Sequence, residues 1–377
     1  MIIERTCNST LELSHSALLN RVLQRRQLLS VAECSFSLKD LLPPSTLPNC
    51  MAAAKIIVEA IVQNKKILIV GDYDVDGATS TVLMLRVLKE LGAHNVAYKI
   101  PNRMLDGYGL SLALLDSIAE NAPDLIITVD NGISSVDAIL KAKEYGIQVV
   151  VTDHHLPGDV LPDAAAIVNP NLKDSQFESK ALCGVGVAFY TLMAVRRELI
   201  NQSYLTEKNA PNLADYLDLV ALGTIADLVP LDRNNRCLVQ QGLERIRRGR
   251  TVAGIQALLE VSGKKQLELS TTDIGFSISP LLNAAGRLDD MRVGIECLLT
   301  DSPERARYYA ERLYSFNQER KAIERSMTKE TDQILGNMLL KDDELPSALA
   351  LYDPSWHQGV IGIVASRVKE RFNKPTF

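Results

Sequence analysis

The chain is expected to be an α/β protein: a parallel sheet with helices on both faces, then a helical connector, then the start of a second α/β unit. Three observations carry that expectation. Short β-branched runs, "KKILIV", "DLIITV" and "IQVVVT", alternate with amphipathic stretches of helical period. Two of those stretches close on glycine, at Gly92 and Gly146, as helices commonly do. Each of the three runs ends in an acidic or histidine cluster, at the position where α/β sheets carry their ligands. Such alternation implies parallel strands joined by helical crossovers.

The elements follow in order. Residues 1–60 look helical, with a break at "LLPPSTLPN". "KKILIV" leads through "GDYDVDG" into the helix "GATSTVLMLRVLKELG". "NVAYKI" is a second strand and "LSLALLDSIAE" a helix. "DLIITV" is a third strand, closing on Asp130-Asn131-Gly132, and "SSVDAILKAKEYG" is the next helix. "IQVVVT" runs into Asp153-His154-His155, and "AAAIVN" is a fifth strand. Beyond it the pattern is mostly helical, and the charged stretch from Ser302 to Leu339 reads as a connector. A strand, a turn and a helix begin again at "SALALYDPSWHQGVIGIVASRVKERF". The expected division is an N-terminal helical segment (1–60), an α/β domain (61–235), a helical region and connector (236–345), and the opening of a second α/β domain (346–377).

Bulk composition is that of an ordinary globular protein, with 46% hydrophobic and 23% charged residues over 377 positions. No apolar run approaches the ~20 residues that cross a membrane, and "MIIERTCNSTLELSHS" lacks the form of a signal peptide. The six cysteines, Cys7, Cys34, Cys50, Cys183, Cys237 and Cys297, have no C-x-x-C spacing, so a zinc ribbon is disfavoured and a reducing cytoplasm is expected. A net charge of −5 argues against a charge-driven, histone-like DNA binder. Two basic runs stand out: Arg245, Arg247, Arg248 and Arg250, and Arg367, Lys369, Arg371 and Lys374. Such runs are usually solvated helix faces.

The chemistry centres on Asp72, Asp74 and Asp76. A calcium loop would need a bidentate glutamate at its twelfth position, which is Leu83 here, and would follow a helix. An aspartyl-phosphate hydrolase would explain "DVDGAT" but not "DHH". A single aspartate would serve as a helix cap; three within five residues repel one another unless cations hold them. Parallel strands bring these carboxylates to one edge with Asp130 and with Asp153, His154 and His155, and Asp227 adds a further carboxylate in "LGTIADLVPL". Carboxylates with imidazole and no thiolate suit Mn²⁺, with Mg²⁺, Co²⁺ or Zn²⁺ as alternatives. Two divalent ions sharing one aspartate suit hydrolysis at phosphorus. His155, unable to share an ion easily with its neighbour, is expected to face the substrate phosphate as donor or general acid.

In that order, "DYDVDG", "VDNG", "TDHH" and "GTIADLVPL" resemble the four motifs of the DHH phosphoesterase superfamily. "IPNRMLDGYGLS", "CGVGVAFY", "FSISPLLNAAGRLDD" and "SWHQGVIGIVASRVKERFNKP" extend the likeness to its RecJ exonuclease family, from about residue 37 onward. The resemblance implies metal ligands at Asp72, Asp74, Asp76, Asp130, His154 and Asp227, with Asp130 the bridge. It implies phosphate contacts at His155, Arg103 and Arg287, and nucleic-acid contacts at His357, Ser366 and Arg367. The implied activity is metal-dependent 5′→3′ hydrolysis of single-stranded DNA to 5′-mononucleotides, in repair and recombination. Implied partners are single-stranded DNA, single-strand-binding protein and a RecQ-type helicase. The alternative within the superfamily is a phosphodiesterase of short oligonucleotides or cyclic dinucleotides. The family continues past Phe377, so weak, steeply salt-dependent binding of long strands is expected, along with a loosely held last helix.

Overall fold

The computed structural model describes residues 12, 14, 16–26, 28, 30–102, 107–118, 121–341 and 346–377. Its centre is a five-stranded sheet in the order β2-β1-β3-β4-β5, parallel throughout. The strands are β1 (Ile67–Val70), β2 (Val96–Lys99), β3 (Leu125–Val129), β4 (Gln148–Thr152) and β5 (Ala166–Val168). The register sets Val70 beside Thr128 and Val129 beside Thr152, so β1, β3 and β4 end almost level. The sequence expectation of a parallel sheet is met strand for strand.

Alternating side chains supply two cores, as a pleated strand requires. Ile67, Ile69, Leu125, Ile127, Val129 and Val150 face α2 (Cys50–Val62), α3 (Val75–Glu90) and, later in the chain, α6 (Gly184–Asn201). Val70, Ile126, Val149 and Val151 face the opposite way, onto α4 (Leu112–Ile118) and α5 (Val136–Glu144). The segment before α2 holds α1 (Ala17–Arg25) and short 3₁₀ turns. Because α2 packs against β5 and α6, it shares the first of these cores.

α7 (Leu217–Ala226) packs on α3 and α6, and α8 (Arg233–Arg247) packs on α7; α9 (Ala253–Val261) and α10 (Thr271–Asp273) follow. A π-helical turn, Ile274–Ile278, then leads into α11 (Ser279–Leu288) and α12 (Arg292–Leu299). α13 (Pro303–Lys341) is a single 39-residue helix where the connector was expected. α14 (Gln358–Phe372) follows, flanked by a parallel bridge between Leu349 and Thr376. The expectation that α14 is loosely held is corrected. Val364 and Val368 are buried with Met327 and Leu335 of α13 and with Leu349. Polar links reinforce the seat: Arg367 pairs with Glu324, Arg371 with Asp332 at 2.7 Å, and the Trp356 indole donates to Glu330 at 2.8 Å. The α13 surface supplies the apolar partner that local reasoning assigned to further strands. Among the described residues, no single helix is long and apolar enough to cross a membrane.

Candidate metal centre

The level ends of β1, β3 and β4 put their following residues in one place. After β1 the chain turns at once into α3, and Asp74 is the N-cap, accepting from the Gly77 amide at 3.0 Å. The helix therefore starts at Val75, two residues earlier than expected, and Asp76 lies in its first turn. This differs from an open aspartate loop. Asp is a strong capping residue, and the cap points the two carboxylates in different directions from one short backbone.

After β3, Asp130 adopts a left-handed backbone with φ of 62°. A non-glycine residue there is uncommon. It is held by its amide donating to Thr152 and by Tyr108, whose hydroxyl donates to the Asp130 carbonyl at 3.2 Å. After β4, Asp153 is almost fully buried and its carboxylate is committed internally. One oxygen accepts from the His154 and His155 amides and from the His155 ring Nδ1 at 2.7 Å; the other accepts from the Ile133 amide. That arrangement assigns a proton to Nδ1 of His155 and leaves Nε2 to face Tyr108 at 3.4 Å. Asp153 is thus the group that orients His155, a role the sequence reading assigned to no residue.

Three overlapping clusters result, each with ligand atoms within 4.8 Å of one another: Asp130 with His154 and His155, Asp76 with His154 and Asp227, and Asp72 with Asp74 and Asp130. Asp130 belongs to two of them, as a bridging carboxylate would. His154 Nε2 lies 3.1 Å from Asp130, 3.6 Å from Asp227 and 4.0 Å from Asp76. Yet among the described residues His154 Nε2, Asp130 Oδ1 and Asp227 Oδ2 are buried without a hydrogen-bond partner. Buried polar atoms are rarely left so. Three such atoms converging from three elements fit a divalent cation.

Electrostatics point the same way. Burial, followed by the charges of Asp227 and Asp74, pushes the Asp76 carboxyl well above its ordinary range despite amide donation from Val185 and Gly184. Burial and then Asp76, Asp74, Asp72 and Asp153 do the same to Asp130. Burial and Asp74 lift Asp227 to about 7. Burial and the neighbouring His155 lower His154 to about 4, keeping it neutral, as a metal ligand must be. His155 moves up, chiefly through its hydrogen bond to Asp153, which suits a proton donor to phosphate.

Glycines make the crowding possible. A methyl carbon at Gly184, the first residue of α6, would fall 2.5 Å from the Asp130 carboxylate. One at Gly223 would fall 2.8 Å from Asp76. Gly184 and Val185 donate their amides to the two Asp76 oxygens at 2.6 and 2.9 Å. The N-terminus of α6 is therefore part of the centre, and "CGVGVAFY" has a local purpose that its spacing alone does not disclose.

The remaining predicted residues lie elsewhere. Arg103 is outside the described residues. Arg287, near the end of α11, donates to the Gly359 carbonyl at 3.0 Å. His357 caps α14, its Nδ1 accepting from the Gly359 amide. Ser366 and Arg367 lie on the exposed side of α14, with Arg367 paired to Glu324. Of the first basic run, Arg245 pairs with Asp215, Arg248 with Glu244, and Arg247 donates to the Leu269 carbonyl. Three of the four arginines of that run are thus taken up by partners within the protein.

Residues 66–224 match the DHH family, N-terminal domain. The single-stranded-DNA-specific exonuclease RecJ of Salmonella typhimurium is 50% identical over 360 residues, covering 95% of this chain and 62% of the relative. That of Bacillus subtilis is 38% identical, covering 89% of this chain and 40% of the relative. The chain thus spans under two thirds of these relatives' length. A crystal structure of exonuclease RecJ bound to manganese superposes with a TM-score of 0.77 at 36% identity, covering 89% of this chain and 80% of the other. RecJ from Thermus thermophilus in complex with Mn²⁺ gives 0.76 at 34%, covering 96% and 49%. With the parallel sheet, the four clustered motifs and this extent of identity together, the chain belongs to the RecJ family of DHH proteins.

Proposed function

We propose that the chain hydrolyses single-stranded DNA from the 5′ end to 5′-mononucleotides, with two divalent cations, Mn²⁺ preferred and Mg²⁺ as an alternative. The observation that carries this is the convergence of His154, Asp130 and Asp227, whose buried atoms have no hydrogen-bond partner among the described residues, beside a second carboxylate cluster sharing Asp130. Asp76, His154, Asp227 and Asp130 would hold one ion, and Asp72, Asp74 and Asp130 the other. Bound divalent cations supply Lewis-acid charge for hydrolysis at phosphorus. The protein's own part is to fix the ligands and to present a proton. His155 carries that proton toward the phosphate, Asp153 orients its ring, and Tyr108 meets its outer nitrogen.

Arg103 and Arg287 are assigned to the phosphate backbone of the strand, since guanidinium groups bind phosphate in a fork, and His357, Ser366 and Arg367 to contact with the nucleic acid. The division into an N-terminal segment (1–60), a catalytic domain (61–235), a helical connector (236–345) and the opening of a substrate-binding domain (346–377) belongs to the same proposal. So do a cytoplasmic location and partnership with single-strand-binding protein and a RecQ-type helicase. The test offers a long single strand, the matching duplex and a dinucleotide in Mn²⁺. Mononucleotide release from the 5′ end of the single strand is expected. Cleavage of the dinucleotide alone would favour a short-oligonucleotide phosphodiesterase instead.

A further inference from the structure

We propose that Asn283 is a positioning residue of the metal centre, acting from α11 on the backbone that carries Asp74 and Asp76. The inference deepens the metal reading above and rests on it.

The first turn of a helix leaves amide hydrogens without partners. In α3 the Ala78 amide bonds the Asp74 carbonyl and the Gly77 amide bonds the Asp74 side chain. The Val75 amide, lying between Asp74 and Asp76, is taken by the side-chain oxygen of Asn283 at 3.2 Å. The two residues are 208 positions apart, so this bond is a tertiary contact and not part of a local cap. α11 also touches the preceding peptide. A methyl carbon at Gly286 would fall 2.0 Å from the Tyr73 carbonyl oxygen. One helix thus bears on both sides of Asp74.

The chemistry of the residue suits the place. Asp72, Asp74 and Asp76 crowd three carboxylates into one short turn, with Asp76 buried. The side-chain oxygen of Asn283 anchors this backbone as an acceptor at the peptide between the two carboxylates. With the turn anchored, Asp74 and Asp76 point into separate clusters; unanchored, the repulsion between them would rotate the turn. The same helix reaches α14 through Arg287 and Gly359, where a methyl carbon at Gly359 would fall 2.1 Å from the Arg287 carbonyl oxygen. α11 therefore has no freedom to follow a displaced loop, and the bond from Asn283 restrains rather than trails the turn.

The experiment titrates Mn²⁺ into the whole chain by calorimetry and by the electron paramagnetic resonance of the free ion, with amide hydrogen exchange at Val75 measured alongside. Asn283→Leu, close in shape but without an acceptor, should weaken Mn²⁺ binding on the order of tenfold, the worth of one such bond, and speed exchange at Val75. Asn283→Asp keeps an acceptor oxygen and should bind Mn²⁺ within roughly threefold of wild type or more tightly. A merely structural role would lower stability in both variants and leave the affinity of the folded protein unchanged. Should Asn283→Leu not fold, Asn283→Ser is too short to reach and carries the same expectation. The inference is overturned if a folded Leu or Ser variant binds Mn²⁺ as wild type does, or if the Asp variant is as impaired as they are. A wild-type chain that binds no Mn²⁺ overturns the metal reading itself, and this inference with it.

Discussion

Replacing Asp227 by asparagine should stabilise the metal-free protein at pH 8 and leave it nearly unchanged at low pH. Burial and the charge of Asp74 lift the Asp227 carboxyl from an ordinary 3.8 to about 7. A carboxyl raised in this way holds its proton longer in the folded state than in the unfolded one. Between about pH 4 and 7 the native state then binds more protons, so its stability falls as pH rises through that window. Each pH unit is worth 1.36 kcal/mol. From pH 5 to 7 this gives about 2.7 kcal/mol, and the partial exposure of Asp227 brings the expectation to about 2–3 kcal/mol. The asparagine variant has nothing to ionise at this position and escapes the penalty. His154 titrates with the opposite sign, because burial lowers it to about 4, and its stability contribution grows between about pH 4 and 6.5. The absolute curve is therefore a sum of opposing parts, and only the difference between variant and wild type isolates Asp227. The assay is urea denaturation in a chelator at pH 5 and pH 8. The stability difference should widen by about 2–3 kcal/mol in favour of the variant. Added Mn²⁺ should close most of that gap, because a ligand held at a hundred times its dissociation constant stabilises by about 2.7 kcal/mol and only wild type binds it well. A difference that stays constant with pH, or a variant less stable than wild type at pH 8 without metal, would refute the reasoning.

Three further outcomes follow from the geometry. Asp130→Ala should abolish phosphodiester hydrolysis while circular dichroism shows the fold intact, since both clusters lose the carboxylate they share; near-normal turnover in Mn²⁺ would contradict the bridge. His155→Ala should lower turnover by about 10²–10⁴ with Mn²⁺ affinity nearly kept, the range for a positioned acid, whereas His154→Ala should lower both; calorimetry and steady-state rates read the split. Gly184→Ala should weaken Mn²⁺ binding at least tenfold, on the order of one hydrogen bond or more, because its methyl carbon would displace the Asp130 carboxylate; unchanged affinity in the titration would show that α6 yields instead.

How much of this was legible beforehand depends on the range over which each feature is encoded. β-branched runs and glycine stops act within a few residues, so β1 to β5 and the helices between them could be read from the chain directly. Parallel order then brings Asp72, Asp130 and Asp153 to one edge, because every strand of such a sheet presents its carboxyl end there. The convergence of Asp76, His154 and Asp227 followed from motif order and from the repulsion that three close carboxylates would otherwise suffer.

Other features were settled only by tertiary packing. The Asp74 cap moved the start of α3 into the aspartate run, and only the structure shows Asp76 on a helix with both oxygens against α6. Asp153 carries the same residue type as the proposed ligands, and only its hydrogen bonds reveal that it serves His155. Gly184, Gly223 and Asn283 bear no charge and no local signal, since their purpose lies in partners 54, 147 and 208 residues away respectively. The arginines at 245, 248 and 367 were equally ambiguous, because a cation in a sequence does not disclose which carboxylate the fold will set beside it. Local pattern determines what each element is and which face it buries. The close contacts that aim a ligand or neutralise an arginine depend on where distant elements meet, and that is fixed only when the whole chain packs.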